Sequence, residues 1–402
     1  MTAFASTASG TPAVNWRSAA AGAEGYVAPG FERVADEFAR NFTQRGDLGA
    51  AFAVMHEGRA VLDLWGGEVA PGRRWAADSL LGVFSGTKGL LASIILKLVE
   101  RGQLDLDAPV ARYWPAFGAA GKSAIKVRHL VSHRSGVPGV ATPLQPADLS
   151  HPERIERLLA AQPVFEDPDA FLCYHALAIG WLCGGLVRAV DGRSIGQFFA
   201  DEIASPLGLE TWIGLPEAEE HRVGRFVFGD GMGGAWDAGL SDAQRADPVR
   251  RAVWANPPLF DGVVNHWDSR AYHAAEIGGA GGITTARSMA RYYGCLAEGG
   301  TLDGVTILAP ETIALGRREL SRFADPFVGE AIAFGVCWNL QAGLNRFGPA
   351  PDAFGHTGAG GSIHGAWPSQ RLGFSYVMSQ LRGDPEDQRT RPLFARLQEI
   401  VG

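Results

Sequence analysis

Lysine is scarce in this chain. Lys88, Lys97, Lys122 and Lys126 are its four lysines, and the remaining basic side chains are arginine and histidine. A lysine at a motif position is therefore informative. Basic blocks are also missing: 36 Lys and Arg stand against 43 Asp and Glu, for a net charge of -7. That balance gives no footprint for nucleic acid or an anionic membrane surface. No stretch approaches ~20 consecutive apolar residues, so no membrane-spanning helix is expected. The first residues, M-T-A-F-A-S-T-A-S-G-T-P, lack a basic start and an apolar run, so no export signal and a cytoplasmic location are expected. The four cysteines, Cys173, Cys183, Cys295 and Cys337, form no C-x-x-C pair. They read as reduced core residues, not as a zinc or disulfide framework.

What remains is an ordinary globular composition, 46% hydrophobic and 20% charged over 402 residues. That is long enough for a large core with two domains, or one domain with a sub-domain. Residues 1–25 are rich in Ala, Ser, Gly and Thr and read as a loose arm. Phe31, Val34, Phe38 and Phe42 fall at helical spacing. A-A-F-A-V-M-H and R-A-V-L-D-L-W flank Glu57-Gly58, a hairpin signal. The middle reads mainly as helices and loops, with an apolar helix over 176–190 and long Gly-, Pro- and Trp-rich excursions over 215–275. Beyond Gly278 a helix over 288–298 is followed by strand-like runs: A-I-A-F-G-V-C-W-N-L, F-G-H-T-G and L-G-F-S-Y-V-M-S-Q-L. The tail from Gln388 looks helical. The fold class expected is α/β (α+β), with one antiparallel sheet built from both termini and flanked by helices. The sheet domain would comprise 26–84 and 276–402, with a mainly helical domain over 85–275 and the active site between them.

The chemistry concentrates at Ser85-Gly86-Thr87-Lys88, which opens the run G-L-L-A-S-I-I-L-K-L-V-E-R-G. Positions i and i+3 share a helix face, so the Ser85 hydroxyl and the Lys88 amine can meet. A lysine beside a buried serine loses solvation, which lowers its pKa and suits it to act as a base. Ser123 and Lys126 repeat the spacing, but in a polar link with no buried helix behind it, and read as surface. Two further signals single out the first copy. Tyr174 precedes the apolar helix, and Gly355-His356-Thr357-Gly358-Ala359-Gly360-Gly361 is a glycine-rich strand end where a substrate and an oxyanion can approach backbone N–H groups.

In this order the motifs resemble those of the serine β-lactamase and penicillin-binding-protein family, S-x-x-K, Y-x-N and K-T-G, and most closely the family VIII carboxylesterases. Here they stand as Ser85-Gly86-Thr87-Lys88, Tyr174-His175-Ala176 and His356-Thr357-Gly358. The resemblance runs from about residue 30 to the C-terminus. L-V-S-H-R-S-G-V-P and G-G-I-T-T-A-R-S-M-A-R are similar to further family segments. It implies Ser85 as nucleophile, Lys88 and Tyr174 as general base and acid in unsettled order, and the N–H groups of Ser85 and Ala359 as an oxyanion hole. His356, Thr357 and Gly358 would line the acyl pocket, and Trp236, Trp254, Phe260, Trp267 and Tyr272 an apolar cleft. No cofactor and no metal are needed.

Two departures bear on the substrate. Ala176 replaces the asparagine of Y-x-N, and His356 replaces the lysine of K-T-G, exchanging a permanent cation for a group mostly neutral near pH 7. Both favour a small-molecule ester over a β-lactam or a D-Ala-D-Ala peptide. A β-lactamase, peptidase or amidase, an acyltransferase, and a non-catalytic binding domain are the alternatives. The chain would be a monomer or a homodimer. Gly192-Arg193-Ser194-Ile195-Gly196 fits an esterase elbow, but a helix precedes it where the elbow needs a strand, and Ser194 with Gln197 reads as a capping box. His129 and His133 have zinc-like spacing without a third ligand and read as structural.

Overall fold

The computed structural model describes residues 13–165, 167, 172–229, 232, 240–259, 265–327, 329, 331–383 and 387–402. Four strands come from the N-terminal part: β1 (Trp16–Ser18), β2 (Ala23–Val27), β3 (Gly49–His56) and β4 (Arg59–Ala70). Six come from the C-terminal part: β5 (Ser321–Ala324), β6 (Ala331–Phe334), β7 (Asn339–Leu340), β8 (Phe354–Thr357), β9 (Ile363–Trp367) and β10 (Leu372–Met378). Their order across the sheet is β1-β2-β4-β3-β10-β9-β8-β7-β6-β5, and every pairing along this path is antiparallel. The two ends of the chain join where Tyr376 of β10 sits opposite Phe52 of β3.

The expected loose arm is corrected from residue 16 onward. β2 is hydrogen-bonded to β4 in the register Ala23↔Gly66 to Val27↔Leu62. The glycine and alanine content that suggests looseness serves close packing, because a Cβ on Gly25 would run into the Asp63 carbonyl. A second departure lies at 331–340, expected as one strand. A turn splits it at Gly335–Trp338, where Cys337 has φ of +55°.

Helices cover both faces. On one side lie α1 (Glu32–Thr43) and, at the C-terminus, α5 (Arg391–Val401); Phe38 of α1 reaches Phe52 and Tyr376 at 6.5 Å each, and Phe394 of α5 reaches Phe374 at 4.7 Å. On the other side α4 (Ala286–Ala297) lies so close that a Cβ on Gly294 would come within 2.6 Å of the Met55 Cβ. The strand periodicity places Phe52 and Tyr376 on one face and Met55 on the other. Each face thus meets its own helix layer.

Between these strand groups run α2 (Thr87–Glu100) and α3 (Ala178–Asp191). Both are buried on nearly every side, as their near-continuous apolar sequences require. Gly102, with φ of +67°, ends the turn after α2, and Gly192, with φ of +89°, caps α3. Among the described residues no helix is long and apolar enough to cross a membrane, and all four cysteines are free and buried.

Candidate active site

A small antiparallel sheet sets the entry to α2. Gly282–Thr284 is its central strand, between Leu81–Gly82 and Thr211–Ile213. The chain leaves Gly82, and Val83 N–H donates to the Gly282 carbonyl at 2.9 Å. Ser85 then sits half-buried in a tight turn, with Gly86, Thr87 and Lys88 N–H groups bonded back to Val83, Phe84 and Ser85. The helix proper starts at Thr87, so Ser85 stands just outside its first turn.

Lys88 is fully buried. Its Nζ lies 3.0 Å from Ser85 Oγ, 2.7 Å from the Ala176 carbonyl and 2.7 Å from the Gly279 carbonyl. Loss of hydration drives its pKa well below the usual lysine value, and Cys337 opposes this weakly. Its Nζ also lies 4.7 Å from the centre of the Tyr174 ring.

Tyr174 is held by its backbone. Its N–H donates to Asp325 Oδ2 at 2.6 Å, and the next N–H, of His175, donates to His133 Nδ1 at 2.9 Å. The carbonyl after that, Ala176, is the one that accepts from Lys88. Three consecutive residues are therefore each fixed from a different part of the chain. The His175 ring is anchored in turn on Ser135 Oγ at 2.8 Å and the Cys173 carbonyl at 2.9 Å. The Tyr174 ring faces His133 at 4.8 Å, Phe334 at 6.1 Å and Trp254 at 6.3 Å. Burial pushes the phenol well above its ordinary pKa, while a hydrogen bond with the Ser85 side chain pulls the other way. The phenol stays protonated.

The third motif closes the site. His356 in β8 is 2% exposed, and its ring lies 6.3 Å from Tyr174. The Thr357 carbonyl sits 2.8 Å from His356 Nδ1, and since a carbonyl can only accept, Nδ1 carries the proton. Burial holds the ring well below the usual histidine pKa, so it is neutral. A Cβ on Gly358 would collide with the Val83 carbonyl, which shows how tightly this strand end abuts the turn carrying Ser85. Neither the Ser85 nor the Ala359 N–H has an acceptor among the described residues. The Gly360 carbonyl is tied to Arg389 Nη2 at 2.8 Å and to the Arg382 N–H at 3.0 Å, which braces the loop.

Ser85, Lys88, Tyr174 and His356 thus meet, with Gly358 against the turn that carries Ser85. Trp254 stands at the rim, 38% exposed. Trp267 is buried, 7% exposed, and packs on Phe84 and Tyr272, so it backs the turn carrying Ser85 where a residue of an apolar cleft was expected. Trp236 and Phe260 lie outside the described residues. The rival groups fall elsewhere. Ser194 caps the helix Ile195–Phe199 and its Oγ donates to Glu276 at 2.7 Å. Ser123 is exposed and Lys126 pairs loosely with Asp107 at 4.0 Å. Asp325, Gly279 and the acceptor role of His133 escape sequence reasoning. For His133 a signal exists, the L-V-S-H-R-S-G segment; for Asp325 none does.

The family model described as Beta-lactamase matches residues 38–398. The chain belongs to the beta-lactamase family. It is 36% identical over 363 residues to Esterase/beta-lactamase LipL of Mycobacterium tuberculosis, covering 89% of this chain and 83% of that protein. A solved family VIII carboxylesterase superposes with a TM-score of 0.83 at 37% identity, covering 93% of this chain and 99% of its own. A penicillin-binding protein homolog from Caulobacter crescentus gives a TM-score of 0.83 at 33% identity, covering 93% and 99%. The fold is thus that of the beta-lactamases and transpeptidases, a large antiparallel sheet with flanking helices.

Proposed function

We propose that this protein is a serine carboxylesterase that cleaves small-molecule esters through an acyl-enzyme on Ser85, in a cleft between the sheet-bearing segments and the mainly helical residues 85–275. One observation carries the reading: Lys88 Nζ at 3.0 Å from Ser85 Oγ, flanked by two carbonyls at 2.7 Å. A neutral amine has two hydrogens and one lone pair. The Ala176 and Gly279 carbonyls take both hydrogens, which leaves the lone pair for the Ser85 hydroxyl. Burial favours that neutral form. Lys88 is therefore the base of acylation and Tyr174, held as a phenol, the acid.

Ser85 Oγ attacks the ester carbonyl as its proton passes to Lys88. The oxyanion forms against the N–H groups of Ser85 and Ala359, where losing one donor would cost about 3 kcal/mol in the barrier. The Tyr174 phenol protonates the departing alkoxide and is itself reprotonated from Lys88. Water then enters, gives a proton back along the same path, and releases the acid. No metal or cofactor takes part in these steps.

The ester preference rests on His356 and Ala176. A buried neutral imidazole offers no cation to a lactam carboxylate, and alanine offers no amide to a peptide-like substrate. The name of the solved family VIII carboxylesterase supports an ester substrate, while that of the other relative covers esters and lactams alike. The test is hydrolysis of p-nitrophenyl butyrate beside nitrocefin, with mass spectrometry of the trapped acyl adduct. An adduct on the Ser85 peptide, and loss of turnover in Ser85→Ala, are expected. Turnover that survives Ser85→Ala, or a clear preference for nitrocefin, refutes the reading.

A further inference from the structure

One strained backbone position at this site lies one residue before Ser85. Phe84 has φ of +44°, a left-handed conformation that a bulky residue keeps only where its surroundings impose it. Its ring is clamped between Phe226 at 4.6 Å and Trp267 at 4.8 Å. Its carbonyl accepts twice from one residue, from the Thr87 N–H at 3.0 Å and from the Thr87 hydroxyl at 2.5 Å.

Thr87 is itself fully buried, and its Oγ1 accepts from the Gly282 N–H at 2.7 Å. Because that N–H can only donate, the hydroxyl proton must point at Phe84. The hydroxyl is thus used in both directions and its orientation is set. The approach also requires glycine at 282, since a Cβ there would come within 2.7 Å of Thr87 Oγ1. Three residues upstream on the same segment, the Gly279 carbonyl holds Lys88. The run Gly278-Gly279-Ala280-Gly281-Gly282 is therefore registered against α2 at two points, through the adjacent residues Thr87 and Lys88.

We propose that Thr87 is a positioning residue for the reaction: its hydroxyl locks the left-handed turn that aims Ser85 and keeps the Gly279 carbonyl on Lys88. It touches no substrate. The inference rests on Ser85 as nucleophile and Lys88 as its base.

Thr87→Val keeps the shape of the side chain and removes both hydrogen bonds, whereas Thr87→Ser keeps them. Steady-state kinetics on p-nitrophenyl butyrate should show kcat of Thr87→Val down at least about 30-fold with KM within about threefold, the pattern of a misaimed group. The acid limb of its kcat profile should move to lower pH, because a carbonyl that favours the ammonium form of Lys88 has been released. Thr87→Ser should return kcat to within about fivefold of wild type. Thr87→Ala, which adds no bulk, should show the same displaced limb and serves if the valine variant does not fold. A wild-type kcat with an unmoved or raised acid limb in Thr87→Val or Thr87→Ala overturns the inference. So does a serine variant as impaired as the valine one. Failure of the esterase reading shows separately, as a wild-type protein whose Ser85 takes no fluorophosphonate label.

Discussion

Removing only the phenol oxygen of Tyr174 separates the acid role from the base role. In Tyr174→Phe the ring keeps its neighbours, His133 at 4.8 Å, Phe334 at 6.1 Å and Trp254 at 6.3 Å. The bonds that place residue 174, from its N–H to Asp325 and from the His175 N–H to His133, are backbone donations and survive. The cost to folding is one hydrogen bond of a half-buried hydroxyl, about 1 kcal/mol. The cost to catalysis depends on the leaving group. An alkoxide is a strong base and needs a proton as it departs, while p-nitrophenolate, the anion of an acidic phenol, does not. Loss of a general acid should therefore slow an alkyl ester by about 10²- to 10⁴-fold, or roughly 3 to 5 kcal/mol of barrier. The same substitution should lower kcat/KM for the p-nitrophenyl ester, which reads acylation alone, by less than about tenfold. Parallel assays of ethyl butyrate, by pH-stat, and p-nitrophenyl butyrate measure the difference. Equal losses on both esters would mean that Tyr174 acts as the base in acylation, and would refute the assignment drawn from the two carbonyls on Lys88.

Three further outcomes follow from the same geometry. The Lys88 amine must be neutral to accept the Ser85 proton, so kcat/KM should fall as pH drops through its ionisation; burial sets that fall well below the ordinary lysine value of 10.5. A pH profile of the wild type shows the limb, and Lys88→Met should be inactive across it. Replacing His356 by lysine restores a cationic donor, so the ratio of nitrocefin to p-nitrophenyl butyrate turnover should rise at least about tenfold. Ser194→Ala should leave ester turnover unchanged and cost about 1 kcal/mol in a urea melt, because Ser194 caps a helix and bonds Glu276.

Much of the architecture was legible because it is periodic. Alternation in Leu372, Phe374, Tyr376 and Met378 marks β10, and the two-sided apolar run after Thr87 marks a buried helix. The N-terminal strands escaped because Ala23 and Gly25 carry no periodic apolar signal; they pair closely with β4 because they are small. The break at Cys337 escaped because nothing local forbids a strand through Gly335 and Trp338; the turn is tied to distant carbonyls, Gly316 for the Val336 N–H and Val131 for the Cys337 N–H.

Ser85 and Lys88 stand three residues apart, so the sequence alone implies that a hydroxyl and an amine can meet, as it does for Ser123 and Lys126. It also determined, through Ala176 and His356, which donors the site would lack. The protonation states belong to the tertiary structure. Lys88 is enclosed by the segments around Ala176 and Gly279, His356 is held in one tautomer by the Thr357 carbonyl, and Tyr174 is fixed by Asp325, 151 residues away. Desolvation and hydrogen-bond direction depend on what surrounds an atom in every direction. Neighbours along the chain supply only part of that shell, and the rest arrives when the strands from the two ends close into one sheet.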